Sequence, residues 1–282
     1  MTWLRILILS QAAAFCVHAT AIAQPAKETL EEARQALQMG NVKEALRLAH
    51  EAVARDADKT RALHFRATLF TRLGEHEKAA ADLSQMIKIA PDAADYYNLR
   101  GGEYFKLGKF AESVKDFDKY IELKPERKAD HWQRGISLYY AGQYEEGRRQ
   151  FERYQTVDSG DVENAVWRFM CMAKSVGLKE ARRDMLKVDE DRRIPMKEVY
   201  NLFAGKLQPD AVMAAARANE PAAEKLKQQL FYAHLYVGIF HDLEGRAEEA
   251  LLHLNKAVND YRIGHYMWDV ARVHADRLRL RK

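Results

Sequence analysis

A chain of 282 residues, 48% apolar and 30% charged, is long enough to bury a substantial core, and its ordinary composition excludes a disordered or collagenous chain. Its 45 basic and 41 acidic residues leave a formal charge of +4. The two signs are interspersed and no basic block stands out, which argues against a nucleic-acid binder.

The first 23 residues read as a cleaved secretory signal peptide: Arg5, an apolar stretch from Ile6 to Val17, then Ala21-Ile22-Ala23 before Gln24. Ser10 and Gln11 interrupt that stretch, which is shorter than the roughly 20 residues of a membrane-spanning helix, so no integral span is expected. Phe15 precedes Cys16 where a lipoprotein signal has a small residue, so lipid anchoring is not expected and the product is read as exported, periplasmic or secreted. Cleavage would leave Cys171 as the single thiol, among Trp167, Met170 and Met172. It reads as a buried small apolar residue rather than a nucleophile.

From residue 26 the pattern repeats. Gly40, Gly74, Gly108 and Gly142 stand thirty-four residues apart, each between two stretches of helical periodicity, the length of one helix, a tight turn and a second helix. With each glycine at place fifteen, place eight holds Ala33, Ala67, Gly101 and Gly135, and place twenty holds Ala45, Ala79, Ser113 and Gly147. All are small, as needed where paired helices approach closely. Phe110, Val114, Phe117 and Ile121 give the clearest apolar stripe, and Pro91 and Pro125 close their repeats.

These residues resemble the tetratricopeptide repeat family, with Tyr104, Phe117 and Pro125 at its aromatic and closing-proline places. Residues 26–160 are read as four regular repeats, the first with Ala36, Ala49 and Ala57 where aromatics and proline are usual. Residues 161–226 are read as degenerate helical repeats around Gly177 and Gly205, with Pro195 and Pro209 opening two short helices. Residues 227–260 restore a repeat through Gly238, Gly245, Ala250, Leu254 and Ala257, and 261–282 form a C-terminal capping helix and basic tail. The expected fold is all-α, a right-handed superhelical array of about six helix-turn-helix pairs.

The order of regular repeats, a degenerate pair, a short pair around Asn201 to Leu207 and a strong last repeat resembles the NlpI family. That resemblance implies a non-enzymatic, often homodimeric adaptor of the Gram-negative cell envelope, docking peptidoglycan hydrolases and a protease. In such an array the first helices expose places two, five, six, nine, twelve and thirteen. The candidate partner-binding residues there are Arg61, His64, Phe65 and Arg72, then Asn98, Phe105 and Lys106, then Trp132, Gln133, Tyr139 and Tyr140. Trp, Tyr and Arg suit a binding surface because they bury large areas and keep a polar handle. The alternative is that these aromatics pack on the C-terminal repeats.

The expected ligand is a protein or peptide, without cofactor or metal. The Lys and Asn pattern by which some members grip a C-terminal carboxylate is absent, since His64, Thr68 and Leu99 stand at those places. An alternative function is an exported helical-repeat enzyme with a metal site built from His234, His241, His253, His265 and His274, though none has the spacing of a zinc motif. Phosphate-loop, nucleophile-elbow and His-Glu-x-x-His motifs are also absent. Arg272, Arg277, Arg279, Arg281 and Lys282 read as a solvated basic helix end.

Overall fold

Each helix pair hinges on a glycine. In the computed structural model, which describes residues 27–55 and 59–281, Gly74 has φ +74°. Its N–H donates to Thr71 O and that of Glu75 to Phe70 O, capping the carbonyls at the helix end. A side chain at this left-handed position is strained. The same bonds recur at Gly142, at Gly245 and, inside the irregular region, at Gly205. The signal-peptide reading, Cys16, Ala57 and Lys282 lie outside the described residues.

The helices are α1 (27–38), α2 (Val42–Arg55), α3 (Thr60–Leu73), α4 (His76–Ile89), α5 (Ala94–Lys106), α6 (Phe110–Leu123), α7 (Trp132–Tyr140) and α8 (Tyr144–Tyr154). They continue as α9 (Val162–Val176), α10 (Leu178–Arg183), α11 (Met196–Phe203), α12 (Pro209–Ala215), α13 (Ala223–Leu243), α14 (Ala247–Asn259) and α15 (Tyr266–Leu280). The described residues contain no strand, and the protein is an all-α array of helical repeats. Seven pairs precede α15, against about six expected from the sequence. None of the described helices is long and apolar enough to cross a membrane.

The chain divides into two compact units, one ending at Tyr104 within α5 and the other beginning at Phe105. The first holds two small aliphatic clusters, one around Leu63, Leu83 and Met86 and one around Ala45, Ala49 and Leu69. Phe65 packs against both. The second unit has one large core in which aromatic rings predominate among the bulkiest side chains, with Phe105, Phe151, Trp167, Phe169, Phe203, Phe231 and Tyr236 fully buried. Within α13 every residue from Phe231 to Ile239 is buried, so this helix is covered on all sides.

The small places do what their size requires. A Cβ on Gly135 would sit 2.6 Å from Phe151 Cζ, and one on Gly238 would sit 2.8 Å from Leu254 Cγ. Gly147 is as tightly placed, 2.9 Å from Cys171 Sγ. Bulk at these places would force the paired helices apart.

Candidate functional site

A second ladder runs beside the glycines. Arg66, Arg100, Arg134 and Arg168 are spaced at the same thirty-four-residue period, and each reaches a residue sixteen positions away. In the first unit Arg66 pairs with buried Asp82 through two bonds of 2.7 and 2.8 Å and also meets His50 Nδ1, while Arg100 donates to Ser84 Oγ. In the second unit Arg134 donates to Asp118 and Gln150, and Arg168 to Glu152 and Asp184. Each guanidinium thus ties together helices of successive repeats. Arg168 extends the register into the region where the glycine spacing has already slipped. The sequence reading missed this ladder although the spacing was visible in it.

The irregularity creates the site. After the six-residue α10 the chain does not continue as a long second helix, and residues 184–195 fold back on the start of α9 instead. Asp189 N–H donates to Ser159 O, Ser159 Oγ donates to Asp189 Oδ2, and Val162 N–H donates to Asp191 Oδ2. This return brings the Arg193 guanidinium 2.6 Å from Asp161 Oδ1, 2.8 Å from Glu163 Oε2 and 2.6 Å from Asp191 Oδ2. Asp161 also caps α9 by accepting the Glu163 N–H.

Beside this ion cluster lies a cavity of about 180 Å³. Trp132 and Ile136 of α7, Phe151 and Tyr154 of α8, Asn164 and Trp167 of α9 and Tyr232 of α13 line it, together with His265 and Met267 at the start of α15. Trp132 stacks on His265 with an interplanar angle of 15° and meets Tyr266 edge-on. Two of the lining side chains are almost wholly buried yet carry polar atoms without a hydrogen-bond partner, Asn164 Oδ1 and Trp167 Nε1. Such orphans cost free energy in a folded chain, and both atoms are enclosed by protein rather than exposed to the cavity. Drug-sized molecules occupy pockets of about 300–1,000 Å³, so this one suits a single side chain or a short piece of peptide.

Burial, opposed by Arg193 and by the Tyr236 hydroxyl, pushes the Glu163 carboxyl up to about 7. Tyr236 donates to Glu163 Oε1 at 2.5 Å. Asp191 is held below the usual carboxylate range despite its burial, because the side chain and backbone N–H of Arg193 and the N–H of Val162 all donate to it. Burial and the neighbouring Arg193 lower the pKa of His265. The cluster therefore carries more negative than positive charge.

Of the residues proposed from repeat places, Trp132 is in the cavity wall and Arg61, His64 and Arg72 are exposed on the first unit. Phe65, Asn98, Lys106 and Gln133 are half-buried. Phe105, Tyr139 and Tyr140 do not belong to an open surface, because they are buried in the core of the second unit. Phe105 packs at 5.3 Å on Tyr266, and the Tyr140 hydroxyl meets buried His274 Nδ1 at 2.8 Å. Tyr139 packs among Tyr140, Tyr144 and Trp167.

The last helix is likewise no loose basic tail. Arg272 donates to Lys106 O, Arg277 to Tyr140 O, Arg279 to Asn255 Oδ1 and Arg281 to Asp242 Oδ1, so these four side chains clamp α15 within the second unit. The five C-terminal histidines fall into separate places. His234 and His253 approach at 3.0 Å, with His241 nearby. His265 caps α15, while His274 bridges Tyr140 and Asp242. Among the described residues no group of three or more His, Cys, Asp or Glu is arranged to hold a metal ion.

The fold defines a helical-repeat protein, and comparison with known proteins specifies the repeat. Residues 30–94 and 94–127 match models of the tetratricopeptide repeat, so the chain carries these repeats. Its fold is similar to that of a tetratricopeptide repeat protein from Parabacteroides merdae ATCC 43184, at 15% identity and a TM-score of 0.59 over 89% of this chain and 99% of that one. It is also similar to MamA from Desulfovibrio magneticus RS-1, at 16% identity and a TM-score of 0.51 over 56% of this chain and 89% of that one. No curated protein matches the chain. At these identities the likeness concerns the fold alone.

Proposed function

We propose that this protein is an exported, non-enzymatic adaptor that holds protein or peptide partners at the cavity of its second unit. Tetratricopeptide repeats generally mediate protein–protein interaction, and an adaptor acts by raising the effective concentration of one client near another. The observation that carries the reading is the cavity itself, walled by Trp132, Trp167 and Tyr232 beside the Arg193 ion cluster and of a size for one peptide side chain. Export rests on the signal-peptide pattern of residues 1–23. The resemblance to NlpI-type adaptors supplies the class of client, cell-envelope hydrolases or a protease, and a homodimeric state.

The test is retention of partners from an envelope extract by the wild-type chain and by Trp132→Ala. The expected result is a specific partner lost from the variant while its melting temperature holds. Recovery of no specific partner by the wild type contradicts the adaptor reading.

A further inference from the structure

We infer that the cavity takes a basic side chain, lysine or arginine, of a bound peptide, an inference that rests on the adaptor reading and deepens it. The aromatic cavity shares Tyr154, Asp161 and Arg193 of its lining with a neighbouring cavity of about 210 Å³. Rings predominate around the first and charged side chains around the second.

The charge has a definite sign. Asp158, Asp161, Glu163, Glu190 and Asp191 face Arg192 and Arg193 across the two cavities, five carboxylates against two guanidiniums, a formal charge of −3 on a chain whose total is +4. Arg193 is already committed to Asp161, Glu163 and Asp191, so it offers little to an incoming anion. A recess of net negative charge concentrates cations.

The walls give independent information, and on the adaptor reading the cation belongs to a lysine or arginine of a peptide. The faces of Trp132, Trp167 and Tyr232 suit both the cation and its aliphatic stem.

The carboxyl of Glu163 is faced by Arg193 and Asp191 from the returning segment, by Tyr232 and Tyr236 of α13, by Asp161 and by His265. Its ionisation near pH 7 adds negative charge, so a cation binds more tightly at pH 8 than at pH 6.

The test uses the purified chain and the peptides Ac-Gly-Ala-Xaa-Ala-Gly-NH2, with lysine, arginine, norleucine or glutamate at Xaa, and free cadaverine, all measured by calorimetry. The lysine and arginine peptides are expected to bind about tenfold more tightly than norleucine, which keeps lysine's four-carbon stem without the ammonium. Glu163→Gln is expected to weaken the lysine peptide and to remove its pH dependence. Glu190→Gln, on the exposed rim and therefore safe for folding, costs about twofold to fivefold. Norleucine or glutamate binding as tightly as lysine overturns the inference, and cadaverine matching the lysine peptide overturns the peptide source. Absence of binding by every peptide also overturns it, whereas the adaptor reading stands or falls separately on the Trp132-dependent capture of a partner.

Discussion

The two units solve the same packing problem differently. In the first, regular repeats bury alanine, leucine, valine and methionine in two small clusters, and the long polar side chains of its first helices, Arg61, His64 and Arg72, remain exposed. In the second, the repeats lose their period after Asp161, and a single core forms around aromatic rings, with a cavity beside it. Regular repeats leave little room for a site, because each side chain fills the space its neighbour defines. The interruption at residues 184–195 supplies what the regular ladder lacks, a guanidinium among three carboxylates and a recess lined with rings.

The arginine ladder offers the largest contrast to break. Asp82→Ala in the first unit removes the buried partner of Arg66 and is expected to cost about 3–5 kcal/mol, read as a shift in a denaturant midpoint. Asp184→Ala, at the same place one hundred and two residues later, is expected to cost about 1 kcal/mol or less. Its side chain is 66% exposed and Arg168 keeps Glu152. Equal losses at the two positions would show that the pairing, rather than its burial, sets the effect.

Next in size is packing at the small places. Gly135→Ala places a methyl 2.6 Å from the Phe151 ring and is expected to cost about 1–3 kcal/mol, partly restored by Phe151→Leu. Gly74→Ala meets nothing within 4 Å, so its cost of about 1–2 kcal/mol comes from the left-handed backbone and no second substitution restores it. Thermal melts of the four variants separate these origins.

A graded effect follows from protonation. Burial lowers the pKa of His234 to about 3 and that of His131 to about 4, against 6.5 for an ordinary histidine. The unfolded chain therefore binds more protons below pH 6.5, and the contribution of these neutral rings, complete above that pH, is lost as the pH falls toward 4 and 3. His234 Nε2 is buried without a partner, so His234→Leu is expected to hold or raise the melting temperature at pH 7.5 and to flatten its decline between pH 6.5 and 4. A steeper decline in the variant would contradict this assignment.

The periodicity made much of the fold legible. The small residues at Gly135 and Gly238, facing Phe151 and Leu254, followed from their places in the repeat alone. A place in a repeat specifies which way a side chain leaves its own helix, not what later covers it, so Phe105, Tyr139 and Tyr140 are buried at places that an isolated array would expose. Tyr140 is covered by His274, 134 residues away, and no local pattern encodes that meeting. Arg193 was invisible for a similar reason, since its role depends on a segment without periodicity folding back on α9. The arginine ladder stands in the sequence at the glycine spacing, but small and aromatic places define the repeat and a charged place does not.

The smallest effects belong to the exposed residues of the first unit. Arg61→Ala, His64→Ala and Arg72→Ala are each expected to change stability by less than about 0.5 kcal/mol and to leave partner retention intact, which a parallel capture assay with Trp132→Ala checks.

The most direct test of the cavity as the binding site needs no substitution. The chain contains four tryptophans, of which Trp132 and Trp167 line the cavity, while Trp268 lies outside it, donating to Val258 O and covered by Arg262. With 5-fluorotryptophan incorporated, fluorine resonances are followed as the lysine peptide is added. Binding in the cavity moves the Trp132 and Trp167 signals together to saturation while Trp268 stays. Saturable binding that leaves both cavity tryptophans unmoved would contradict the cavity as the site.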